Sequence, residues 1–128
     1  MRLILDTHLL LWAVAASRRL PAEARDLLID PRNTVFYSAA SIWEIAIKSR
    51  LGRRDFRVDI RRLLVAAVET GFVELPVTSA HAARVATLPD LHRDPFDRLL
   101  VGQALAESAV LLTNDAPLGE YSKQVRVF

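Results

Sequence analysis

The feature that most constrains the fold is an alternation of short apolar runs with helix-length segments. Leu3-Ile4-Leu5, Val35-Phe36-Tyr37, Phe72 to Leu75 and Val110-Leu111-Leu112-Thr113 are of strand length and largely apolar. Strands with no polar side are buried on both faces, as in a parallel sheet covered by helices above and below. The intervening segments read as helices: Leu9 to Ala15 capped by Thr7, Pro21 to Ile29, Ala39 to Leu51 closed by Gly52, and Asp59 to Thr70 closed by Gly71. Ser79 to Leu88 and Pro95 to Ser108 read as two more, and Val125 to Phe128 as a final edge strand. The expectation is a doubly wound, three-layer α/β/α domain with a parallel sheet of about five strands. Ligands of such sheets bind beyond the carboxyl ends of the strands, where the strand order reverses.

There are no repeats and no linkers, and 128 residues suit one domain spanning 1–128. Hydrophobic content of 52% with 25% charged residues excludes a disordered chain. The absence of cysteine excludes disulfides and thiolate metal sites and fits a cytoplasmic location. The run Leu9 to Ala16 resembles a short signal core, but Asp6 and His8 lie in or beside it and only Arg2 precedes it with positive charge. It is also far shorter than the roughly 20 residues a membrane helix needs. Neither a signal nor a membrane anchor is expected. The net charge of +2 with a pI near 9.5 permits a polyanionic partner.

Burying a carboxylate is costly, so acids inside apolar stretches need a reason. Asp6 interrupts "LILDTHLLLW"; it could cap a helix, though Thr7 could do that equally well. Glu44 in "SAASIWEIAIK" could close a capping box with Ser41 and pair with Lys48 one turn on. The apolar residues around it argue against a freely solvated charge. In "HRDPFDRLL", Asp94 before Pro95 suits a helix cap, Asp97 a first-turn acid, and His92 a loop histidine rather than a ligand. Asp115 follows the last buried strand, where a turn or a short helix would use it. Each acid alone has a structural use. Together, Asp6 and Asp115 follow strands while Glu44 and Asp97 open helices at the same edge, so all four can meet on one rim. Such a cluster repels itself unless a cation shares it. With oxygen ligands and no cysteine or histidine pair, the expected ion is hard, Mg²⁺ or Mn²⁺.

With those residues in view, the chain resembles PIN-domain ribonucleases, and specifically the toxin half of VapBC-type toxin–antitoxin pairs. The resemblance runs through "LILDTHLLLW", "SIWEIAIK", "HRDPFDRLLVGQA" and "LLTND", in that order and spacing. It implies a five-stranded parallel sheet between helices and a metal-dependent ribonuclease site at Asp6, Glu44, Asp97 and Asp115. Asp6, Asp97 and Asp115 would hold one Mg²⁺, with Mn²⁺ as a substitute, and lower the pKa of a water that attacks RNA. Glu44 would position that water or bind a second ion. Thr7 and Thr113 are the hydrogen-bonding neighbours, and no catalytic role falls to His92 or Asp94. Gly102 stands where alanine is more usual and is expected only to weaken its helix. The resemblance also implies a cognate antitoxin that occludes the site, and a toxin homodimer.

Arg50 to Arg62, "RLGRRDFRVDIRR", carries six arginines against two aspartates. It is either a solvated charged face or a phosphate-contacting rim; Arg53, Arg54 and Arg98 are the candidate RNA contacts. Other readings differ in their sequence demands. A receiver-type phosphoacceptor needs paired acids after the first strand and a lysine after a later one, whereas Asp6-Thr7-His8 and "LLTND" supply neither. A haloacid-dehalogenase-like phosphatase needs a second aspartate where His8 stands. A non-catalytic nucleic-acid- or protein-binding module would retain four acids without using them.

Overall fold

The computed structural model describes residues 1–128. Five strands form one sheet: β1 (Arg2–Leu5), β2 (Thr34–Ser38), β3 (Val73–Leu75), β4 (Val110–Thr113) and β5 (Val125–Val127). All neighbours are parallel and the order is β3-β2-β1-β4-β5. Six α-helices complete the chain: α1 (Thr7–Val14), α2 (Ala22–Ile29), α3 (Ala39–Arg50), α4 (Ile60–Glu69), α5 (Ser79–Val85) and α6 (Pro95–Ala106). Two short 3₁₀ turns lie at Arg54–Phe56 and Ala116–Glu120. The three-layer α/β/α expectation is met.

The period-2 geometry of a strand divides the core. Leu3 and Leu5 of β1 and Leu112 of β4 join one apolar cluster with Leu9, Ile45 and Leu63 from α1, α3 and α4. Ile4 and Leu111 point the other way, into a second cluster with Leu100, Val101 and Ala104 of α6. The central strands β1 and β4 are buried on both faces, as their apolar runs require, whereas the edge strands β3 and β5 stay largely exposed. No helix is long and apolar enough to cross a membrane.

Helix ends depart from the sequence reading at two places. Asp6, not Thr7, caps α1: its Oδ1 accepts the Leu9 N–H at 2.8 Å. Helix α3 starts at Ala39 as expected, but its cap lies three residues before Ser41: the Ser38 hydroxyl accepts the Ala40 N–H at 3.0 Å. That leaves Ser41 and Glu44 inside the helix, with no capping box. Gly52 and Gly71 do close α3 and α4, at φ +74° and +91°, where a side chain would be strained.

The structure also gives Gly102 a reason beyond propensity. A Cβ there would lie 2.9 Å from Val85 Cγ2 and 3.1 Å from the His81 carbonyl oxygen. The missing side chain lets α6 lie close against α5, so the position is set by packing rather than tolerated as a weak helix former.

Candidate metal centre

The chain runs outward from β1 through β2 to β3, then crosses back to place β4 beside β1. The strand order therefore reverses between β1 and β4, and their carboxyl ends flank the crevice. Asp6 immediately follows β1, its N–H bonded to the Leu112 carbonyl of β4 at 2.9 Å. The Thr113 hydroxyl, at the end of β4, donates to Asp6 Oδ2 at 2.5 Å. The same hydroxyl accepts the Asp115 N–H at 3.0 Å, so one threonine ties both acids to the seam.

Helices α3 and α6 bring the other two acids. Glu44, only 3% exposed, is held on Oε1 by the Thr7 hydroxyl at 2.6 Å and on Oε2 by Lys48 Nζ at 2.5 Å. Thr7 thus joins α1 to α3 rather than capping a helix, and its oxygen also lies 3.0 Å from the Ser41 hydroxyl. Asp94 caps α6 by accepting the Phe96 and Asp97 N–H groups, which sets Asp97 in the first turn facing the crevice. Asp6, Glu44, Asp97 and Asp115 line a cavity of about 240 Å³ that has no apolar residue in its wall. A larger groove of about 510 Å³ between α1 and α4 is mainly apolar. The acids converge on the smaller cavity, not on the groove.

His92, read from the sequence as a loop residue, lines that cavity as well. Its Nδ1 accepts the Asp94 N–H at 3.2 Å, an arrangement that leaves the proton of a neutral ring on Nε2. Nε2 lies 3.3 Å from Asp115 Oδ2 and 3.9 Å from Asp97 Oδ2. One potential ligand atom from each of His92, Asp97 and Asp115 falls within 4.8 Å of the other two. With the ring in that tautomer, the Nε2–H lies beside the Asp115 and Asp97 carboxylates. Lys48 also lines the cavity. Its sequence signal was the i,i+4 spacing to Glu44; His92 carried none, because only the folded loop aims the ring inward.

The electrostatics match a site built for a cation. Burial raises the Asp6 carboxyl above its usual range, against the hydrogen bonds from Thr113 and Leu9 and the charge of His8. Asp97 is pushed up to about 7, first by burial and then by the negative charges of Asp94, Glu44, Asp6 and Asp115. Burial, and then four neighbouring acids, favour its neutral form, and no lysine or arginine pairs with it. The donors are oxygens, the ligand set of a hard divalent ion such as Mg²⁺ or Mn²⁺. The residues present fit that ion.

The predicted arginine contacts differ in their surroundings. Arg53 and Arg54 are exposed just beyond α3. The Arg98 guanidinium bonds the Pro89 carbonyl at 2.9 Å and the Tyr121 hydroxyl at 3.0 Å, and it does not line the acidic cavity.

The family model of the PIN domain matches residues 3–124. Among curated proteins, no sequence matches. Among solved structures, VapBC2 from Rickettsia felis bound to a DNA fragment from its promoter is similar at TM-score 0.72 and 16% identity, covering 100% of this chain and 99% of that one. VapBC-1 from nontypeable Haemophilus influenzae matches at 0.66 and 17%, over 99% and 98% of the two chains. DNA-bound VapBC from Salmonella typhimurium matches at 0.65 and 16%, over 100% and 97%. At these identities the likeness establishes the fold.

Proposed function

Because this chain belongs to the PIN domain family, we propose that it is a metal-dependent endoribonuclease, the toxin of a VapBC-type toxin–antitoxin module, acting as a single domain over residues 1–128. The observation that carries this reading is the convergence of Asp6, Glu44, Asp97 and Asp115 at the β1/β4 switch point, with Asp97 pushed up to about 7 by burial and then by the neighbouring acids. Asp6, Asp97 and Asp115 would hold Mg²⁺, or Mn²⁺ in its place. When bound, the ion supplies a Lewis acid that lowers the pKa of water into the neutral range and offsets the charge of an approaching phosphate.

The chain's own residues do the rest. Thr113 orients Asp6 and anchors the Asp115 backbone across the seam. His92 stands beside Asp115 and Asp97, close enough for its Nε2–H to steady them once an ion draws them in. Thr7 and Lys48 fix Glu44, which shapes the far wall of the cavity where the attacking water would sit. Arg53 and Arg54 are free to meet RNA phosphates outside the cavity. Arg98 would serve from its place against Pro89 and Tyr121, steadying the loop that carries His92.

The VapBC likeness supports a cognate antitoxin as partner. The apolar groove between α1 and α4 supports a protein contact, and Trp43, exposed and set edge-on against Phe96, supports a homodimer. A cytoplasmic site of action accords with RNA as substrate. The direct test is cleavage of total RNA by the purified protein with Mg²⁺, Mn²⁺ or a chelator. Cleavage should need the ion and vanish in Asp97→Asn. Cleavage that survives both chelator and substitution would rule the reading out.

A further inference from the structure

We propose that Lys48 fills the place of a second cation in this centre, so that its carboxylates take up one divalent ion rather than two. The inference rests on the metal-dependent reading above and assigns Lys48 a positioning role. Glu44 is buried, and each of its oxygens already has a donor: the Thr7 hydroxyl at 2.6 Å and the Lys48 ammonium at 2.5 Å. The ammonium is itself held from a second side, 4.8 Å from the centroid of the Phe56 ring. Its side chain is 20% exposed, yet it lines the same cavity as the four acids.

The two halves of the cavity therefore differ in charge balance. Glu44 and Lys48 sum to zero. Asp6, Asp97 and Asp115 have only Thr113, His92 and backbone N–H groups as partners, with no ammonium or guanidinium among them. Paired divalent ions sit about 3.5–4 Å apart and need carboxylates on both sides. Here the carboxylate on the second side is occupied, and a fixed positive charge stands beside it. A second ion would have to displace that ammonium from a buried carboxylate, which costs the pair its compensation.

Ion counting tests this without reference to cleavage. Metal-free protein is titrated with Mn²⁺, free Mn²⁺ is followed by electron paramagnetic resonance, and circular dichroism checks folding. Wild type should bind one ion per chain. Lys48→Met, which keeps the stem over Phe56 but removes the charge, should bind two. The Lys48→Met/Glu44→Gln double variant should return to one, and Lys48→Arg should stay at one. Two ions in wild type, or one in folded Lys48→Met, would overturn the inference. If Lys48→Met does not fold, Lys48→Gln takes its place, and the wild-type count still decides. No ion at all in wild type would overturn the metal reading itself, and this inference with it.

Discussion

Two polar clusters lie at opposite ends of β1, and they are solved in opposite ways. At its start, the Arg2 guanidinium meets Glu107, which also meets His81 Nε2 at 2.8 Å beneath the sheet. At its end, Asp6 faces Asp97 and Asp115. The first cluster pairs unlike charges: hydrogen bonds from His81 and then Arg2 hold the Glu107 carboxyl below its usual range. The second gathers like charges: burial raises Asp6, and burial followed by the neighbouring negative charges pushes Asp97 up to about 7. Within one fold, one acid is neutralised by the chain's own cations, while others are crowded together with no lysine or arginine paired with them. Glu44 stands between the two cases, inside the crowded rim yet neutralised by Lys48.

The largest expected effect lies at the rim. Loss of an outer hydrogen bond to a metal ligand costs roughly 10–100-fold, so removing a ligand should cost more than about 100-fold. Asp6→Asn should therefore lose cleavage by at least that factor in kcat/KM while keeping its circular dichroism spectrum. A fall of less than tenfold would make the rim as structural as the cluster at the other end of β1.

At that other end the effect should fall on stability. His81 is 1% exposed, its Nδ1 accepts the Thr78 N–H, and Glu107 holds its other nitrogen. His81→Ala should cost about 2–4 kcal/mol, from a cavity and stranded partners, read as a lower urea midpoint. Mg²⁺ uptake by the folded fraction should not change. Nearby, Gly102→Ala should cost about 1–3 kcal/mol through overpacking against Val85. Val85→Ala in the same chain should recover part of that; no recovery would place the strain at the His81 carbonyl instead.

The two clusters should also respond to pH with opposite signs. Asp97 rises from 3.8 to about 7 on folding, so the metal-free folded state binds its proton more tightly than the unfolded chain. Its charge is destabilising above about pH 7, and the penalty is relieved as pH falls toward 4. In chelator, Asp97→Asn should exceed wild type in stability by about 1 kcal/mol or more at pH 8, and the gap should narrow steadily as pH falls from about 7 toward 4. A gap that widens on acidification would contradict the assignment. Glu107 shifts downward, so its contribution is present above its unfolded value of 4.5 and lost as pH falls through the lower folded one. Being partly exposed, it should be worth only a few tenths of a kcal/mol, seen as a steeper acid limb in wild type than in Glu107→Gln.

The sheet was legible because its signals are local. Apolar runs of strand length, Gly52 and Gly71 past helix ends, and Asp94 before Pro95 each act within a few residues. The four acids were legible as a set, since every strand of a parallel sheet delivers its carboxyl end to one rim. Of their partners, Lys48 was legible from its spacing to Glu44 and the resemblance pointed to Thr7 and Thr113, but which acid each threonine holds was not. Nothing near Asp6 in the chain announces Thr113, 107 residues away, and Thr7 looks like a cap until α3 brings Glu44 within reach. The surroundings of His92 and Gly102 were out of reach for the same reason: the ring's direction depends on a loop folded against Asp94, and the glycine's need on the approach of α5.

The amino-acid order by itself determined the alternation of strands and helices, the burial of both sheet faces, and the residue types that a hard cation would need. Only the tertiary structure decided which acid is held by threonine, which by lysine, and which is left to repel its neighbours. Propensity and periodicity work over a turn or a few residues. Charge compensation depends on which strands become neighbours, and that was settled when β4 packed beside β1.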